Sequence, residues 1–136
     1  MKPQYAYPTK PNIISQFWGI YRPDVYSQFG FTNHNGVDYA LGKDKTFYYP
    51  WNGTGTVVRT GNQPTGGGIF VGILSNELFE FPDGKQVYIL TDDLHAEKLL
   101  VKEGDVVSQG TPIIIQGNTG FSTGFHTHEQ CRRVIW

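Results

Sequence analysis

Cysteine is almost missing from this chain: Cys131 is the only one in 136 residues. A disulfide framework and a cysteine-rich structural zinc site are thereby excluded, and the residue reads as a small buried hydrophobe. Helix-favouring apolar residues are also scarce, with 11 Ala, Leu and Met against 40 Val, Ile, Phe, Tyr and Trp. That balance suits pleated, half-buried surfaces and argues against a helical bundle. No charge of one sign prevails either: 11 Lys and Arg face 12 Asp and Glu, a formal net charge of -1. A nucleic-acid or anionic-membrane partner would need a basic footprint, so neither is expected. No apolar run approaches the ~20 residues of a membrane span. Pro3, Pro8 and Pro11 interrupt the amino terminus where a signal peptide would need an unbroken apolar stretch. The chain is expected to work where it is made or to be exported by other means.

What is plentiful is backbone punctuation, with 17 Gly and 8 Pro. Asn35-Gly36, Asn52-Gly53, Gly66-Gly67-Gly68, Asp83-Gly84 and Gly117-Asn118 separate short apolar or alternating runs, as in the hairpins of a sandwich or barrel. The chain is read as all-β, mainly antiparallel and sandwich-like. Residues 1–12 form an extended arm, because prolines fix φ and push their predecessors toward extended backbone. Residues 13–136 form a single domain. Strand runs are expected at Ile13 to Trp18, Val37 to Leu41, Thr54 to Thr60, Ile69 to Leu74, Glu77 to Phe81, Gln86 to Thr91, Leu99 to Lys102, Pro112 to Gln116 and His126 to Val134. Ala96 to Leu100 could make one helical turn.

Four histidines carry the chemistry. His126 and His128 are two apart in a β-favouring segment, so both imidazoles can face one side of a strand. Standing alone, such a pair also fits the surface of an edge strand. His34 and Asp38 are four apart, an even spacing that leaves both on one face of an extended segment. By itself this also fits a turn with a neighbouring carboxylate. Taken together, His34, Asp38 and His128 make a set of two histidines and one carboxylate with no fourth protein ligand. Catalytic metal sites have that composition, since the open position admits water or substrate. His95 lies far from both segments in sequence. Asp92 and Asp93 beside it are read as a solvated turn with no role.

The run HAEKLLVKEGDVVSQGTPIIIQGNTGFSTGFHTHEQ resembles the carboxy-terminal half of the lysostaphin/LytM-type zinc peptidases. HNGVDYA is similar to that family's H-x-G-x-D element, and ISQFWGIYR to its opening strand. The resemblance spans roughly Ile13 to Arg132 and places all four histidines on functional positions. It implies one zinc per chain held by His34, Asp38 and His128, with His95 and His126 lining the catalytic cleft. His126, two residues from a ligand, is assigned as general base. His95 would orient water or stabilise the tetrahedral oxyanion. The implied activity is hydrolysis of peptide bonds in bacterial peptidoglycan by a monomer acting at the cell wall. A phage-borne or holin-released enzyme, or a domain of a longer secreted chain, would fit the amino terminus.

Several positions depart from the family pattern. Thr127 replaces an apolar residue, Glu129 an aromatic one and Ala96 a leucine, while Ser75 to Asp93 makes a longer connection. Tyr21 and Tyr26 are candidates for a tyrosine that assists the transition state, and both also fit core positions. GNTGFSTG lacks the Lys of a phosphate loop and precedes a strand, so it reads as a turn that delivers His126. VKEGDVVSQGTPI has a likeness to biotinyl-carrier hammerhead strands but no Lys at a hairpin tip. A non-haem iron oxygenase also uses two His and a carboxylate, usually as His-x-Asp. The alternative from another class is a non-catalytic wall-binding or regulatory relative in a phage tail or hydrolase complex.

Overall fold

The computed structural model describes residues 1–6, 8–9, 14–16, 37–40, 45–120 and 126–135. Within them lie ten strands and no helix: β1 Ile14–Gln16, β2 Val37–Ala40, β3 Thr46–Tyr48, β4 Thr54–Gln63, β5 Gly68–Ser75, β6 Phe79–Glu80, β7 Gln86–Leu99, β8 Val106–Ser108, β9 Pro112–Gln116 and β10 His126–Val134. The all-β reading holds. Every pairing is antiparallel, and the main path runs β1-β2-β10-β7-β5-β4-β8, with β9 joining β7 to β3 and β6 pairing with β7.

Alternation along β7 and its neighbour β10 sorts side chains to two faces. On β7, Val87, Ile89, Thr91 and Asp93 are all but sealed from solvent. They face the side on which Tyr39, Phe47, Val57, Val71, Ile73 and Ile114 are buried. On β10 the register against β7 is unbroken from His128↔Leu94 to Val134↔Tyr88. His128, Gln130 and Arg132 therefore share the other face with Asp92 and Leu94. Turn glycines hold the ladder together. Gly68 sits at φ +65, and a methyl there would run into the backbone carbonyl of Thr119, so only glycine lets the 117–120 turn close onto β5.

Four readings need correction. Ala96 to Leu100 is not a helical turn: Ala96 pairs with both Ile69 and Gln116, and strand continues to Leu99. Ala, Glu, Lys and Leu favour helix locally, but a fully buried position between two strands overrides that preference. Of the expected Leu99 to Lys102 strand only Leu99 is in a strand, as the last residue of β7, and Leu100 to Lys102 lie outside any strand. Asp92 and Asp93 lie inside β7 and are 3% and 0% exposed, not in a solvated turn. Asp92 accepts both Arg59 Nε, at 3.0 Å, and Arg59 Nη2, at 2.5 Å. Cys131 is exposed on β10 rather than buried, its thiol 3.8 Å from Thr91 Oγ1.

Candidate active site

Strand register brings Asp38 and His128 together. They are direct partners across β2 and β10, ninety positions apart in sequence, and His128 Nδ1 lies 2.8 Å from Asp38 Oδ1. His126 enters from two residues earlier on the same face, its Nε2 3.8 Å from the same oxygen. All three side chains are largely shielded, at 18%, 14% and 9% exposed for His126, Asp38 and His128. Gln130 Oε1, next along that face, is 3.4 Å from His128 Nε2.

His95 reaches this point by a backbone irregularity. Between Val71↔Asp93 and Ile69↔Ala96, β7 carries one residue more than β5, a β-bulge. His95 takes φ +67 there, a left-handed conformation uncommon outside glycine. Strict alternation would send residue 95 to the core face; the bulge instead leaves that face to Ala96 and turns His95 toward the histidines of β10. Its ring centre is 4.8 Å from that of His126 and 6.5 Å from that of His128.

The 117–120 turn locks this arrangement. His95 N donates to Gly67 O at 2.7 Å. His95 Nδ1 lies 2.7 Å from Thr119 O, and because a carbonyl only accepts, Nδ1 carries the proton. Burial pushes the imidazole down to about 4, against the opposing pull of that carbonyl. At neutral pH the ring is therefore neutral, and Nε2 is left as an acceptor. Thr119 Oγ1 in turn donates to Ala96 O at 2.6 Å and accepts from Ile69 N at 3.0 Å. In the sequence Thr119 stands out only by its place in the glycine-rich turn.

Of the residues singled out in the sequence, Asp38, His95, His126 and His128 lie together on one sheet face. His34, Tyr21 and Tyr26 lie outside the described residues. Among the described residues no group of three His, Cys, Asp or Glu side chains closes on one point as a metal centre. Asp38 and His128 supply one oxygen and one nitrogen donor already aimed at each other, a donor chemistry that fits zinc.

No family model matches the chain, but individual relatives do. Peptidoglycan DD-endopeptidase ShyA of Vibrio cholerae is 38% identical over 95 residues, 70% of this chain and 19% of that protein. An uncharacterized metalloprotease of Haemophilus influenzae is 34% identical over 121 residues, 89% of this chain and 21% of that protein. The chain spans about a fifth of the length of these curated relatives. Among solved structures, a zinc-containing peptidase from Vibrio cholerae superposes with a TM-score of 0.70 at 26% identity, covering 96% of this chain and 37% of that one. The catalytic domain of lysostaphin from Staphylococcus simulans gives a TM-score of 0.62 at 27% identity, covering 99% of this chain and 82% of that one. The chain belongs to the lysostaphin/LytM-type peptidase family.

Proposed function

We propose that the chain is a zinc-dependent endopeptidase that hydrolyses peptide bonds in bacterial peptidoglycan and acts at the cell wall. The observation that carries this reading is the register pair Asp38–His128, with His95 and His126 converging on it from the same sheet face. Names of relatives on both sides, a peptidoglycan endopeptidase in sequence and zinc and lysostaphin peptidases in structure, support the same reaction.

In this reading His34, Asp38 and His128 hold the metal. Zinc, when bound, acidifies water and polarises a carbonyl. His126, with Nε2 beside the Asp38 carboxylate, takes the proton from the attacking water and returns it to the leaving amine. His95 serves differently from an oxyanion donor. Its only ring N–H is committed to Thr119 O, so Nε2 accepts a hydrogen bond and orients the water. Burial of the cluster strengthens each of these contacts.

Digestion of purified peptidoglycan, followed by mass spectrometry of new amino termini, tests the reading and reports the bond cut. One zinc per chain and new termini from the native protein are expected, with none from His128→Ala or after chelation. Wall binding without new termini would favour a non-catalytic relative, and stoichiometric iron would favour an oxygenase.

A further inference from the structure

Asp38 and His128 occupy neighbouring strands, and β2 meets β10 over only four residue pairs, with the three-residue β1 on its other side. A one-residue slip there would turn one of the two away from the site. The residues that follow the pair along each strand, Tyr39 and Glu129, point to the opposite face and are 3% and 4% exposed. One hydroxyl joins them: Tyr5 Oη lies 2.6 Å from Glu129 Oε1 and 2.6 Å from Tyr39 Oη. Because the single Tyr5 proton goes to the carboxylate, Tyr39 donates to Tyr5, and the chain runs Tyr39 to Tyr5 to Glu129.

Tyr5 is itself anchored away from both strands. It bridges to Trp51 through the backbone, and its ring meets the Trp51 ring edge-on at 5.0 Å. Ala6 N donates to Pro50 O at 2.8 Å, and Gln4 N to Asn52 Oδ1 at 2.8 Å. The amino-terminal segment is therefore fixed to the stretch joining β3 to β4. From that base its hydroxyl reaches the back of the two strands that carry Asp38 and His128. Glu129, unusual for the family where an aromatic is common, thereby meets an aromatic residue supplied from the amino terminus.

We propose that Tyr5 is a positioning residue for the metal pair: it pins β2 to β10 from behind and so sets the separation and facing of Asp38 and His128. This rests on the reading of those two residues as ligands. Metal affinity is sensitive to such support, since ligand distances tolerate only about ±0.2 Å and loss of an outer partner costs about 10–100-fold.

The test is zinc affinity, measured by competition with a chromophoric chelator on the full chain at a temperature where every variant is folded. Tyr5→Phe removes the hydroxyl and keeps the ring. Val107→Ala, on the far strand β8 with Val107 3% exposed, serves as a destabilised control. The expected result is about a tenfold or greater weakening of zinc binding in Tyr5→Phe, with Val107→Ala within twofold of the native protein. If Tyr5→Phe does not fold, Tyr39→Phe cuts the same chain at its other end and carries the same expectation. A native protein that binds one zinc alongside an unweakened Tyr5→Phe overturns the positioning role alone, as do equal losses in Tyr5→Phe and Val107→Ala. A native protein that binds no zinc overturns the ligand reading and this inference together.

Discussion

The left-handed conformation of His95 makes a prediction whose sign is opposite to the usual one. In ordinary strand positions alanine is more stabilising than glycine by about 0.5–1 kcal/mol, because glycine loses more freedom on folding. At φ +67 an L-residue with a Cβ carries a steric penalty of about 1–2 kcal/mol that glycine does not. The difference leaves His95→Gly more stable than His95→Ala by about 0.5–1 kcal/mol. Both variants lack the imidazole and its contact with Thr119 O, so those losses cancel in the comparison and only the backbone conformation is read. Urea denaturation of the metal-free proteins is the assay, since bound metal would add stability by mass action and mask the effect. The two midpoints should differ at equal slope, with glycine higher. Both variants should be equally inactive. An alanine variant as stable as the glycine one, or more so, would refute the argument that the bulge is strained to present the ring.

Three further outcomes follow from the same geometry. Gly68→Ala combines a left-handed φ with collision against the Thr119 carbonyl, and should lower stability by about 2–5 kcal/mol, read as a depressed thermal midpoint. Thr119→Val leaves Ala96 O and Ile69 N without their hydroxyl partner and should cost about 1–3 kcal/mol for each orphaned group that water does not reach, with turnover falling as His95 loses its support. Burial, together with Glu129 directly opposite, pushes the Asp93 carboxyl well above the ordinary carboxylate range. Such a group keeps its proton in the fold after the unfolded chain has lost it. Its contribution is therefore full below the unfolded value of about 4 and is lost as pH rises toward the folded one. The thermal midpoint of Asp93→Asn relative to the native protein should climb as pH rises above about 4; a difference independent of pH would count against a protonated Asp93.

Much of this was legible in the sequence where local pattern and tertiary pairing agree. The run from His126 to Val134 is β10 with the same bounds, because alternation with β-favouring residues is what a strand paired on both sides requires. Asn52-Gly53 and Asp83-Gly84 mark glycines with φ of +75 and +82. The reading failed where pairing overrode local preference. Ala96 to Leu100 looks helical by residue type, yet Ala96 is clamped between β5 and β9. Asp92 and Asp93 look like a solvated turn because two adjacent acids rarely enter a strand. Here one is neutralised by Arg59 on the site face, and the other faces Glu129 across the core side.

The position of His95 shows why motif and geometry are different kinds of information. Sequence placed this histidine with its partners by order along the chain, but period-two alternation would have aimed it into the core, beside Asp93. What corrects its direction is the extra residue between Asp93 and Ala96, held open by Gly67 O on one side and Thr119 on the other. No residue type announces a bulge at a histidine, since the conformation is one that side chains with a Cβ avoid. The glycine-rich turn that supplies Thr119 thus has two duties: it closes onto Gly68 of β5, and it bonds the ring that the bulge has turned outward. The histidine-bearing face is built by a departure from regular strand geometry at one residue, and the turn glycines are what make that departure stable.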